Sequence, residues 1–187
     1  MSSIPNAQLT HLGLFVHDLE VMVAFYTKLM GLVVSDSGEF MGKELAFLTR
    51  SIDEHHQLVM IKGRTGEPTT KILGQISFRV DGLDELRYFA ARAFALGATD
   101  GEARNHGNSY SIYFRDPEYN FVEMYVPTAW QVRQPWRVAL DLSLSNEQID
   151  AVTMQLIDEA GIWQPVSDWQ IEIGAKITAH SLGEDKS

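Results

Sequence analysis

Cysteine is absent from the 187 residues, which excludes disulfides, thiolate metal sites and a cysteine nucleophile. Cationic residues are scarce: 15 Lys and Arg stand against 25 Asp and Glu, a net charge of -10. That balance speaks against nucleic acid or an anionic membrane as a main partner, since both require a basic face. No apolar run approaches the roughly 20 residues that cross a bilayer. The opening stretch "MSSIPNAQLT" has neither the basic nor the apolar region of a secretion signal, so cytoplasmic localisation is the expectation. What remains is an ordinary globular composition, 45% hydrophobic and 21% charged, long enough for one domain with an appendage.

The chain repeats itself. "HLGLFVHDLEVMVAFYTKLMGL" begins at His11 and "QISFRVDGLDELRYFAARAFALGA" at Gln75, 64 residues later. Each reads as a strand, a tight turn with an acidic residue, and an amphipathic helix. Leu19, Met22, Val23, Phe25 and Tyr26 form one helical stripe, and Leu83, Leu86, Phe89, Ala90 and Phe94 the other. Gly31 and Gly97 mark the helix stops. Three strand candidates follow each helix, at 32–35, 45–49 and 56–62, then at 97–100, 109–115 and 121–126.

The pattern predicts an α+β fold of two βαβββ modules, 8–63 and 72–127, joined by the turn-rich "GRTGEPTTK". Residues 1–127 form the main domain and 128–187 a C-terminal extension. In the extension, Trp130 and Trp136 stand on an extended stretch. "SNEQIDAVTMQLIDEAG" then predicts a helix over about 146–160, with a capping box at Ser145 and Gln148. Its stripe of Ile149, Val152, Leu156 and Ile157 needs a covering surface, a sheet edge or a second subunit. The end, "HSLGEDKS", reads as frayed.

Alternation along each strand sorts its side chains into two faces. Leu12, Leu14 and Val16 share one face, with His11, Gly13 and Phe15 opposite. Ile76, Phe78 and Val80 oppose Gln75, Ser77 and Arg79. Ile112 and Phe114 oppose Ser111, Tyr113 and Arg115, and Val122, Met124 and Val126 oppose Phe121, Glu123 and Tyr125. The apolar faces are expected to pack on the helices. The other faces collect His11, Gln75, Tyr113 and Glu123. Glu123, between Val122 and Met124, is a carboxylate inside an apolar strand and needs a cation or metal partner. Arg79 is free to pair with Glu123 or with a substrate anion. In "DEHHQLVM", a strand beginning at His56 sends His55 to solvent and His56 to the site face.

Paired modules carrying "FYTKLMGL" and "DPEYNFVEMY" resemble the vicinal oxygen chelate superfamily over about residues 8–127. That superfamily includes glyoxalase I, bleomycin and fosfomycin resistance proteins, and extradiol dioxygenases. The resemblance implies sheets paired into a cup around a divalent metal, in a homodimer. His11, Gln75 and Glu123 occupy its ligand positions, and a histidine, an amide and a carboxylate suit a first-row divalent ion. The fourth position is placed at about Met60, where glyoxalase-like enzymes carry a carboxylate and extradiol enzymes carry no ligand. "HHQLVM" resembles the histidine pair of extradiol dioxygenases, which implies that His56 handles a substrate or dioxygen proton. "HGNSYSIYFRDPEYNFVE" resembles their substrate-binding segment, which implies that His106 and Tyr113 contact the substrate hydroxyls.

One residue departs from that pattern. Gln75, in "GQISFRV", stands where the family has its second metal histidine. An amide oxygen is neutral and a weaker donor than imidazole, so affinity drops and iron(II) loses its clear preference over manganese, zinc or nickel. The expected activity is extradiol cleavage of a small catechol-type diol with iron(II). The alternatives are a non-catalytic binding or resistance protein of the same fold and a glyoxalase-like lyase or isomerase.

Overall fold

The computed structural model describes residues 5, 7–67 and 73–181. The linker residues 68–72 and the tail from Leu182 lie outside the described residues. The first module runs β1 (Leu12–Val16), α1 (Leu19–Met30), β2 (Val33–Phe40), β3 (Lys43–Thr49) and β4 (Leu58–Lys62). The second runs β5 (Ile76–Arg79), α2 (Leu83–Ala95), β6 (Thr99–Asn105), β7 (Ser109–Arg115) and β8 (Phe121–Pro127). There follow β9 (Trp130–Val132), β10 (Val138–Ala139), α3 (Asn146–Ala160), β11 (Trp163–Pro165) and α4 (Val166–Ser181).

The fold is α+β, and the repeat is structural. The first sheet has the order β1-β4-β3-β2, and the second has β5-β8-β7-β6 with β10 added beyond β6. In each module the first strand therefore pairs with the fourth, not the second. β1 runs parallel to β4, setting Leu12 beside Leu58, Gly13 beside Val59 and Leu14 beside Met60. Paired residues share a face, so Leu14 and Met60 join the core together, at 7% and 0% exposure.

α1 shows why these residues form a helix. The Asp18 carboxylate accepts from the Val21 amide at 3.0 Å and caps the start. At the end Gly31 adopts the left-handed conformation at φ 67°, with its N–H on the Thr27 carbonyl. Met22, Phe25, Tyr26, Leu29 and Met30 are buried at helical spacing. α2 buries Leu83, Leu86 and Ala93, while Phe94 of the expected stripe is 47% exposed.

Two compact units result. One contains Leu9–Glu102 and Ile112–Met124, and so holds most of both modules. Inside it, the β7–β8 turn of the second module reaches the first. Asp116, 2% exposed, accepts the Tyr26 hydroxyl at 2.9 Å, the Glu118 and Asn120 amides at 2.9 Å, and the Asn120 side chain at 2.9 Å. Burial raises its pKa above the usual carboxylate value against these donors. Glu118 accepts the backbone N–H of His17 and of Asp18, each at 2.8 Å.

The other unit includes 103–111 and 125–181. β9 pairs antiparallel with β11, and β10 with the end of β6. Ser145 and Gln148 make the reciprocal capping box of α3. Its buried face is Ile149, Thr153 and Ile157, whereas Val152 is 47% exposed. Thr153 is polar and buried because Asn105 donates to it at 2.8 Å and Tyr110 at 3.0 Å, while its own hydroxyl donates to the Ile149 carbonyl. Gly107, at φ 72°, lies against Val132 so closely that no Cβ fits. α4, which the sequence did not reveal, buries none of its residues among those described.

Tyr26→Phe tests the link between the modules. It leaves a buried carboxylate short of one donor, at a cost of about 1–3 kcal/mol. Urea unfolding should show a lower midpoint with an unchanged slope.

Candidate functional site

Glu123 lies on β8, 7% exposed, between Val122 and Met124 of the core. Its Oε2 accepts Gln75 Nε2 at 2.8 Å and the Ser77 hydroxyl at 2.5 Å. Gln75 Nε2 also reaches Ser77 Oγ at 2.8 Å. Among the described residues no protein partner meets Glu123 Oε1 or Gln75 Oε1. Gln75 just precedes β5, and the alternation that pairs it with Ser77 is what brings both to the acid. The sequence put Ser77 on this face but gave it no role. A hydroxyl two residues from a candidate ligand on the same strand face was the available signal.

His11 stands just before β1, exposed, with Nδ1 3.0 Å from Thr10 Oγ1. Its ring centroid is 4.4 Å from that of His56. The structure thus joins Gln75 to Glu123 and His11 to His56. Among the described residues no hydrogen bond links the two pairs, and no three His, Asp or Glu side chains form a metal-holding group. The donor set still has the right chemistry for a divalent ion: an imidazole nitrogen, an amide oxygen and a carboxylate oxygen without a protein partner.

Two expectations about β4 are corrected. The strand begins at Leu58, not His56, so strand alternation does not divide the histidines. Their Nδ1 atoms are 3.0 Å apart and their rings meet edge to face at 5.3 Å. Phe47 touches both rings, at 5.5 Å from His55 and 5.1 Å from His56. His55 is exposed and His56 half-buried. The second correction concerns Met60. It is fully buried on the core face with Leu14, so it cannot be the first-module counterpart of Glu123. The repeat of 64 residues pairs Leu58 with Val122 and therefore Val59 with Glu123. The position still carries no carboxylate.

Tyr113 is 7% exposed, its ring stacked on Phe121 at 5.1 Å and 13°. His106 belongs to the other compact unit, where its Nδ1 lies 3.1 Å from the Trp136 carbonyl and its own carbonyl accepts from Gln134. Arg79 is exposed at the end of β5 and does not pair with Glu123. No helix among the described residues is long and apolar enough to cross a membrane.

Desolvation, then the neighbouring His11 and His55, lower the pKa of His56 below its ordinary 6.5, against a smaller opposing pull from Glu54. His56 is thus neutral near neutral pH and gains its proton only as pH falls through the lowered value.

The family model for the glyoxalase/bleomycin resistance protein/dioxygenase superfamily matches residues 8–124. The chain belongs to this superfamily. No curated protein matches it. A glyoxalase/bleomycin resistance protein/dioxygenase domain from Frankia sp. EAN1pec shares 19% identity at a TM-score of 0.58, covering 66% of this chain and 100% of that one. The fosfomycin resistance protein FosX from Mesorhizobium loti shares 21% identity at a TM-score of 0.53, covering 66% and 94%. FosX from Listeria monocytogenes, complexed with Mn(II) and sulfate, shares 20% at 0.54, covering 66% and 95%. Identities this low show the fold alone, and nothing in them is specific to extradiol cleavage.

The histidine cluster yields a prediction for the metal-free chain. An NMR titration of His56 should have its midpoint below 6.5. His55→Ala removes one of the neighbours that lower the His56 pKa and should move that midpoint up; an unmoved midpoint would show that the two imidazoles are not in contact.

Proposed function

We propose that the chain is a metal-dependent extradiol-type dioxygenase acting on a small catechol-type diol, with His11, Gln75 and Glu123 as metal ligands. The observation that supports this reading is the His56 ring, of lowered pKa, 4.4 Å from the ring of His11. Ring opening places both atoms of dioxygen in the product and breaks the carbon–carbon bond beside the diol, and a hydroxyl proton has to be taken up. His56 receives that proton at Nε2, because its Nδ1 faces His55. A divalent ion held by His11, Gln75 and Glu123 would supply Lewis-acid chemistry and, were it iron(II), redox chemistry toward dioxygen. Ser77 and Gln75 fix the Glu123 carboxylate through Oε2 and leave Oε1 as the donor. Tyr113 orients the diol, and His106 enters on its place in the sequence pattern alone. A homodimer is the proposed assembly, and the Mn(II) of the Listeria relative supports manganese as the alternative ion.

One observation favours a second reading, a binding protein without chemistry. The Gln75 amide and the Ser77 hydroxyl both donate to Glu123 Oε2, so the chain's own donors satisfy that oxygen. Metal analysis separates the two. Protein purified without chelators, then reconstituted anaerobically with iron(II), should hold about one ion per chain, as a single three-donor site dictates. No metal under any condition supports the binder.

Glu123→Ala removes the one anionic ligand and should abolish metal binding, while Gln75→His should tighten iron(II). Unchanged metal content in Glu123→Ala would place the centre elsewhere. His56→Ala should retain metal and slow oxygen uptake with a panel of catechols by on the order of 10²–10⁴-fold.

A further inference from the structure

Arg79 has no part in the metal-site reading, yet it is an arginine without a hydrogen bond or ion pair to any described residue. It opens onto a cavity of about 710 Å³, within the roughly 300–1,000 Å³ of small-molecule sites. Leu58, Phe78 and Met124 line it from core-facing strand positions, and Arg79 joins them as the last residue of β5. Lys28, Arg50 and Arg92 join Arg79 in the lining. Four cations in one cavity is a concentration in a chain with 15 Lys and Arg and a net charge of -10. Asp81 and Glu85 offset half of that charge.

Two of the arginines are held in place by helix α1. Arg50 donates Nη1 to the Met30 carbonyl at 2.5 Å, and Arg92 donates Nε to the Lys28 carbonyl at 2.6 Å. Those carbonyls are the negative end of the helix, which anchors the guanidinium groups. Each keeps further N–H groups unengaged by these bonds, and a planar fork of this kind matches a carboxylate. Arg92 also lies 5.8 Å over the Tyr88 ring, and Phe89 adds a second aromatic surface.

We propose that this cavity is a second ligand site, for a small aromatic carboxylate, with the acid on Arg79 and Arg92 and the ring against Tyr88 and Phe89. The site is independent of the metal and of the proposed reaction.

2-Naphthoate is the probe, titrated calorimetrically into the metal-free full chain, with neutral 2-naphthalenemethanol as its uncharged counterpart. Saturable one-to-one binding is expected for the acid, and binding weaker by about tenfold or more for the alcohol. Arg79→Met should weaken naphthoate by about tenfold. Because Arg79 has no hydrogen bond or ion pair among the described residues, the variant's circular dichroism and melting temperature should match the parent's. Arg92→Met provides a second variant. Amide shifts on binding should centre on Arg79, Tyr88 and Arg92. The proposal is overturned if naphthoate does not saturate, if acid and alcohol bind alike, if folded Arg79→Met and Arg92→Met both bind as the parent does, or if the shifts centre on Ser77 and Glu123.

Discussion

Two carboxylates in one turn hold the arrangement together. Asp116 and Glu118, in the "DPEYN" turn between β7 and β8, serve the first module more than their own. Asp116 takes the hydroxyl of Tyr26, a residue in the middle of α1 with 0% exposure. Glu118 takes the amides of His17 and Asp18, which leave β1 and start α1. A negative group at that point meets the unsatisfied N–H groups and the positive end of the helix. Arg64 approaches Glu118 at 3.6 Å and donates to its carbonyl, closing the set. Each buried charge would be costly without these partners, so the turn has one arrangement in which its demands are met. That arrangement fixes the end of β1, a strand that His11 immediately precedes, and the start of β8, which carries Glu123.

The fold was legible because its signals are local and redundant. A 64-residue repeat, two amphipathic stripes and glycines at both helix ends left few alternatives to paired βαβββ modules. The strand that begins the histidine question was not legible at the level required. An error of two residues in where β4 begins converts opposite faces into a hydrogen-bonded pair, because strand alternation does not extend into the preceding bend. The same sensitivity misplaced Met60: its neighbour Val59 shares the His11 face, and one position is the whole difference between core and site. Thr153 was hidden for another reason. A threonine is buried on an apolar stripe only when partners distant in sequence satisfy it, and Asn105 and Tyr110 are more than 40 positions away.

The two modules share a backbone plan and divide the chemistry unequally. The first contributes imidazoles, His11, His55 and His56, clustered around Phe47 with much of their surface in solvent. The second contributes Glu123 in a buried strand together with Gln75 and Ser77. Burial explains the division. An imidazole tolerates an exposed position and a half-buried one alike, whereas a carboxylate at 7% exposure requires donors built into the neighbouring strand. Val59, at the first-module position equivalent to Glu123, has no such donors to satisfy. The site's single anionic group therefore comes from the half of the repeat that also supplies its hydrogen bonds.

Seen this way, glutamine at position 75 is more than a weakened histidine. An amide has a donor end and an acceptor end separated by one carbon. Its nitrogen is already anchored on Glu123 Oε2 and Ser77 Oγ, both at 2.8 Å. Anchoring the donor end sets the direction of the acceptor end, so the carbonyl oxygen is oriented by the same carboxylate it would act beside. An imidazole at 75 would offer one lone pair and would have to hold Glu123 through its other ring N–H, changing which atom faces the opening. Gln75, Ser77 and Glu123 thus form one hydrogen-bonded unit. Ser77 belongs to that unit as fully as the two residues whose types first drew attention.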